Sequence, residues 1–315
     1  MKVILFLLQF VVLQISFGQN NRSNSKMIKE PLNHFTIEIS DQSNIESTKY
    51  SIVVYNKSKV IQNIITPKNM DEFLPFDGRF FTAEDVNFDG YKDFYFTDFI
   101  GKVNSSKIVY LYNPNYKRFE LNENFRSITS PQFDIENQVI KSFNQINAAF
   151  HETETHIILN GKLTRISKSI DNQGSNEYKY IIYDGKEEVA INETLRKVKL
   201  YIGFFKTDNF NIVIDLIDKG RYRYTSWSSK KSLRNNPDLV LQNGIKQESK
   251  DEISYKFKNG KFIYLCTFNK ITNNGYLKVL QDQKELIKKT ASVFIIPNEL
   301  KKYIGNKNNI TISLK

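Results

Sequence analysis

The chain predicts an all-β fold, and three features of its 315 residues point that way. Phe and Tyr are abundant, at 24 and 17 residues, and aromatic side chains suit the pleated, half-buried surface of a sheet, where they stabilise as cross-strand pairs. Short apolar runs recur along the chain, divided from one another by turn-forming Asn, Asp and Gly. Hairpins repeated at that spacing build a propeller or a sandwich. No window carries a sustained apolar period of about 3.6 residues bounded by caps, so helix is expected to be scarce.

The elements follow in chain order. Met1-Lys2, a nearly unbroken apolar run from Val3 to Val12, and small residues at Ser16 and Gly18 read as a secretory signal peptide cut after Gly18. The run is shorter than the roughly 20 residues a membrane span needs, and no later stretch is longer, so the mature protein is expected in the periplasm or at the cell surface. Residues 19–30 are polar and read as a flexible leader. Tyr50–Tyr55 and Val60–Ile65 flank the turn Asn56–Lys59, and Ile108–Tyr112 and Arg118–Leu121 flank Asn113–Tyr116. Tyr180–Tyr183 meets Asp184-Gly185 and then Val189–Ile191. Tyr255–Phe257 turns at Asn259-Gly260 into Phe262–Leu265, and Tyr276–Leu280 turns at Gln281–Lys284 into Glu285–Ile287. Asn-Gly and Asp-Gly match the twist of the strands they join. A domain boundary is expected near residue 195, where Val198–Phe205 begins a fresh set of strands, giving domains at 31–195 and 196–315. Ile310–Leu314 alternates and reads as a closing strand.

Between two aromatic runs lies Asp85-Val86-Asn87-Phe88-Asp89-Gly90-Tyr91-Lys92-Asp93. It places an oxygen-bearing side chain on every second residue, a glycine at the reversal and an aspartate at the close. A hard cation such as Ca²⁺ takes six to eight oxygens, and this spacing supplies them. Asp85, Asn87, Asp89 and Asp93 are expected to ligate by side chain, and Tyr91 by its backbone carbonyl. A helix-loop-helix calcium site needs a Glu at the twelfth position, where this chain has Phe96. The flanks Phe80–Ala83 and Phe94–Thr97 suit strands, so the loop resembles those of integrin-type or FG-GAP propeller blades.

Over about residues 78–166 the chain resembles a more specific family. The segments are Glu84–Phe94, then Tyr110-Leu111-Tyr112-Asn113-Pro114, Ile128-Thr129-Ser130-Pro131-Gln132-Phe133-Asp134 and Asn147-Ala148-Ala149-Phe150-His151. In that order they are similar to the exported calcium-binding β-propeller immunity proteins first recognised in Xanthomonas, which inhibit peptidoglycan-hydrolase effectors delivered by bacterial secretion systems. The resemblance implies a propeller-like first domain holding Ca²⁺ and a protein partner that degrades cell wall. It departs from the family at Val109-Tyr110-Leu111, where members carry a tryptophan, and in the added β-rich region after residue 195.

Other constellations carry less. His151-Glu152-Thr153-Glu154-Thr155-His156 lacks the H-E-x-x-H spacing of a zinc protease; Glu152, Glu154 and His156 are expected on one face of an exposed strand edge. Arg221-Tyr222-Arg223-Tyr224-Thr225-Ser226-Trp227 alternates, putting Arg221, Arg223 and Trp227 on one face as candidate partner-binding residues, since Arg and Trp are common interface anchors. Glu187-Glu188 read as solvated. The single cysteine, Cys266, lies in an apolar run and reads as a buried, inert thiol. There is no nucleophile elbow and no phosphate loop, so no enzyme is expected. A net charge of +11 without a basic stripe argues against nucleic acid. The expected function is binding and inhibition of a cell-wall-degrading effector; the alternative is a surface carbohydrate-binding or adhesion module using the Arg/Trp strand.

Overall fold

The computed structural model describes residues 27–32, 35–41, 50–66, 81–175, 177–192, 198–218 and 220–296. The expected signal peptide, most of the expected leader and the expected closing strand at 310–314 lie outside them. The described residues form strands almost throughout, with one short 3-10 turn at Glu123–Ser127. None of their helices is long and apolar enough to cross a membrane.

Three open antiparallel sheets precede a closed barrel. The first sheet runs in order through β1 (Met27–Leu32), β2 (Phe35–Asp41), β3 (Tyr50–Asn56) and β4 (Lys59–Ile65). The second runs through β5 (Thr82–Glu84), β6 (Asp93–Ile100), β7 (Ser105–Asn113) and β8 (Arg118–Leu121). The third has six strands: β9 (Gln132–Asp134), β10 (Val139–Gln145), β11 (Phe150–Leu159), β12 (Lys162–Asn172), β13 (Glu177–Tyr183) and β14 (Glu188–Ile191). The eight-stranded barrel comprises β15 (Leu200–Lys206), β16 (Phe210–Asp218), β17 (Arg221–Ser228), β18 (Leu239–Glu248), β19 (Glu252–Asn259), β20 (Phe262–Asn269), β21 (Gly275–Gln281) and β22 (Lys284–Ile295). Each of the five hairpins read from the sequence is present.

The sheets stack face to face. Ile37, Ile52 and Val54 of the first sheet pack on Phe94, Phe96, Tyr110 and Phe119 of the second. The second sheet's other face, through Tyr95 and Val109, packs on Ile140 of the third. That explains why β6 is buried at six successive positions, Asp93 to Asp98: a strand covered on both sides has no solvent face for polar residues. The third sheet's remaining face, through Ile157, Ile166, Tyr180 and Ile182, shares one core with the barrel.

The same logic divides the barrel wall. β15 and β16 are almost continuously buried because one face fills the barrel and the other meets the third sheet. β19 and β21 alternate between buried and partly exposed residues, as strands with one wet face do. Tyr222 meets Tyr255, and Tyr224 meets Phe257 and Tyr264, in the barrel interior. Closure pairs β15 with β22, from Gly203↔Ile295 to Lys206↔Ser292. At Gly203 a Cβ would stand 2.6 Å from the Phe294 carbonyl oxygen, so the strands close only over glycine. The break between sheets and barrel falls between Ile191 and Leu200, yet the core runs across it.

Candidate metal centre

The Asp85–Asp93 loop joins β5 to β6, which pair antiparallel with Glu84 opposite Asp93. Its alternation separates two kinds of side chain. Val86 and Phe88 turn inward into the core between the second and third sheets and are buried. Asp85 and Asn87 are half-buried and Asp89 is exposed. The reversal needs left-handed backbone at Phe88 (φ 63°) and Gly90 (φ 94°); glycine takes that conformation readily, and burial of the Phe88 ring holds it there.

The carboxylates organise the loop's amides. Asp85 Oδ1 accepts from the Asp89 N–H at 3.0 Å and Oδ2 from the Gly90 N–H at 2.8 Å. Asp89 Oδ1 accepts from the Tyr91 N–H at 2.9 Å, and its Oδ2 from the Asn87 side-chain amide at 2.9 Å. Asp93 lies deeper, at 0% exposure. Its Oδ2 accepts from the Val86 N–H at 3.0 Å and its Oδ1 from the Tyr112 N–H at 2.8 Å. One carboxylate thus ties the start of the loop to β7. The Tyr112 amide is a partner that sequence reasoning missed, since it lies 19 residues away with nothing in the local pattern to mark it.

The electrostatics are unfavourable as they stand. Burial, reinforced by the charges of Asp89 and Asp85, pushes the Asp93 carboxyl up to about 7, against the pull of the Tyr112 and Val86 amides. Burial also raises Asp85, with Asp89 adding to it and the Gly90 amide opposing. No lysine or arginine among the described residues forms an ion pair with these three carboxylates. Hard oxygen donors with uncompensated negative charge suit a hard divalent cation. Among the described residues no three His, Cys, Asp or Glu side chains converge as a metal cluster, because the oxygens bond the loop's own amides. Holding an ion would mean sharing or exchanging those contacts. Tyr91 is exposed, its ring 5.4 Å from that of Tyr112.

The Arg/Trp strand is placed otherwise than expected. It forms β17, but Trp227 is 0% exposed, its indole N–H donating to the Asn235 carbonyl at 2.8 Å. Arg223 is buried as well, its Nη2 2.7 Å from Asp215 Oδ2, while the Tyr180 hydroxyl reaches Asp215 Oδ1 at 3.2 Å. Arg221 alone is exposed, paired with Asp218 beside it in the turn. Arg223 and Trp227 are therefore not presented to a partner, because the wall they sit in is covered on both sides. The histidine segment is also corrected. β11 is an inner strand between β10 and β12, not an edge. Glu154 does share a face with His156, at 3.5 Å, and with Lys168 and Arg165. Glu188, expected in solvent, pairs with Arg165 through Nε at 2.7 Å and Nη2 at 2.8 Å. Beside this network lies a cleft of ≈ 670 Å³ lined by Asn124, Ser127, His156, Lys162 and Arg165 among others. Cys266 is buried and free, and burial pushes its thiol well up, as an inert thiol requires.

No family model and no curated protein matches the chain. A solved chain described as "Structure of a Xanthomonas Type IV Secretion System related protein" is similar at 14% identity with a TM-score of 0.40, over 53% of this chain and 93% of that one. Likeness at that level carries no argument about fold or function.

Proposed function

We propose that this chain is an exported calcium-binding protein that binds and inhibits a cell-wall-degrading effector, an immunity-type protein acting in the periplasm or at the cell surface. The reading is carried by the ordered series of four segments between Glu84 and His151 that resembles the β-propeller immunity proteins. Three meander sheets stacked face to face support reading the first domain as propeller-like, each sheet standing for a blade.

In this reading Asp85, Asn87, Asp89 and Asp93 hold Ca²⁺ by side chain and Tyr91 by its carbonyl. Calcium, when bound, supplies the positive charge that three uncompensated carboxylates lack. Asp93 continues to fasten the loop to β7 through the Tyr112 amide, and Val86 and Phe88 keep it seated on the core. The role is structural: the chain inhibits by filling a partner's cleft, and no residue performs chemistry. The glycan-binding alternative rested on the Arg/Trp strand, and burial of Arg223 and Trp227 leaves it without a surface.

The test is a pull-down from the organism's envelope fraction, with calcium and then with chelator, followed by assay of the recovered hydrolase on peptidoglycan with added chain. Recovery of a lysozyme-like or amidase-like protein that the chain inhibits supports the reading. Recovery of polysaccharide, or of nothing, overturns it.

A further inference from the structure

Far from the acidic loop, two turns form an apolar ridge. β6 begins at Asp93, beside the loop, and ends at Ile100, eight residues or more than about 20 Å away. At that far end Phe99, Ile100 and Val103 are 44%, 45% and 53% exposed, and the adjoining β10–β11 hairpin adds Ile146 of the turn at 53% and Phe143 of β10, stacked on the His151 ring, at 39%. Five large apolar side chains displayed together are unusual for a surface without a partner.

The two turns are locked to each other. The Asn104 side-chain amide donates to the Gln145 carbonyl at 3.0 Å, and its Oδ1 accepts the Gln145 N–H at 3.0 Å, mimicking a strand partner. It also donates to Asn144 Oδ1 at 3.1 Å. The β6–β7 turn is closed by the Gly101 N–H to the Asn104 carbonyl at 2.7 Å. In the β10–β11 turn, Asn147 Oδ1 accepts from the Ala149 and Phe150 amides, each at 2.9 Å. A ridge held this way loses little conformational freedom on binding, which is where association usually loses affinity.

Its charge is one-sided. Residues 99–118 and 137–151 contain no Asp or Glu. Of the flanking carboxylates, Asp98 pairs with Arg126, Glu120 with Arg118 and Glu152 with Lys168, while Asp171 of β12 stands opposite His151. Lys102, between Ile100 and Val103, is exposed and forms no ion pair among the described residues. Apolar anchors around an unmatched ammonium complement a concave surface with apolar walls and carboxylates at its floor. Clefts that cleave glycosidic bonds carry a carboxylate pair of that kind.

We infer that this ridge, and not the acidic loop, is the surface that enters the carboxylate-lined cleft of the partner hydrolase. The inference rests on the function proposed above. The experiment uses the hydrolase recovered in the envelope pull-down, purified and titrated calorimetrically with the full chain and with Ile100→Asp, Val103→Asp, Lys102→Glu and the control Ile65→Asp. All four positions are exposed or in an exposed turn, and circular dichroism checks that each variant folds. Loss of about tenfold or more in affinity for Ile100→Asp and Val103→Asp, with a smaller loss for Lys102→Glu and none for Ile65→Asp, is expected. Binding within twofold of wild type for the three ridge variants overturns the inference and leaves the inhibitor function standing. If wild type recovers no hydrolase, or binds polysaccharide through this ridge, the proposed function and the inference fall together.

Discussion

Asp93 concentrates the chemistry of this molecule in one side chain. It is fully buried, satisfies two amides from separate parts of the chain, and has its carboxyl raised to about 7. In the unfolded chain the same group titrates near 3.8. Between those values the folded state holds a proton that the unfolded state has released. Stability in chelator must therefore fall as pH rises from about 4 to about 7, then level off. Asp93→Asn abolishes this charge and should flatten that part of the profile, while weakening the fold because one of the Val86 and Tyr112 amides loses its acceptor. Urea unfolding in EDTA at several pH values measures both. Parallel slopes for the two proteins would show that Asp93 is not the titrating group. Calcium bound as proposed would compete with protons for the carboxylates, so its stabilisation of wild type should grow with pH across the same window.

At the scale of elements, side-chain amides join neighbouring sheets where no ladder does. Gln62 of β4 donates to the Phe119 carbonyl at 2.7 Å and accepts the Phe119 N–H at 2.8 Å, so its amide substitutes for a strand across the edge of β8. Gln62→Glu keeps the acceptor but turns an oxygen towards the Phe119 carbonyl; a loss of about 1–3 kcal/mol by urea unfolding is expected, and an unchanged midpoint would show that the clamp is ornamental. The barrel wall has its own polar tie in Asp215–Arg223. Burial raises the Asp215 carboxyl even with Arg223 opposing it. Arg223→Met leaves that charge unpaired and should cost about 3–5 kcal/mol, whereas Asp215→Asn with Arg223→Met should recover most of the loss. A double variant as unstable as the single one would refute the desolvation account. These pairings also show what the sequence could reveal. The hairpins were legible because Asn-Gly, Asp-Gly and Asn-Pro turns announce themselves locally, and so was a loop between two strands at Asp85–Asp93, though the burial of Val86 and Phe88 emerged only from the fold. The fate of Arg223 and Trp227 was not, because a period of two implies one wet face, and β17 has none. The two strands before it, β15 and β16, read as near-continuous apolar runs, which was the available cue. Barrel closure through Gly203↔Ile295 joins residues far apart in sequence, and no local pattern encodes it.

The whole molecule is held by cores that do not all depend on the same devices. The acidic loop seats Val86 and Phe88 between the second and third sheets, and the second sheet also carries the core shared with the first. The barrel shares its core with the opposite face of the third sheet, and neither Val86 nor Phe88 belongs to it. Withdrawal of an ion from the loop should therefore loosen the first two sheets and leave the barrel intact. The chain reports on this by itself, because its single tryptophan, Trp227 of β17, is buried in the core that the barrel shares with the third sheet. On heating in EDTA, the Trp227 emission shift should keep the midpoint it has in calcium, while amide hydrogen exchange in β5–β8 accelerates at lower temperature than in β15–β22. Such separation marks local opening below the global transition. If emission and exchange in both regions move together, by the same shift on chelation, the third sheet couples the cores into one cooperative unit. The loop would then govern the stability of the barrel as well, through Tyr180 and the partners it shares with Asp215 and Arg223.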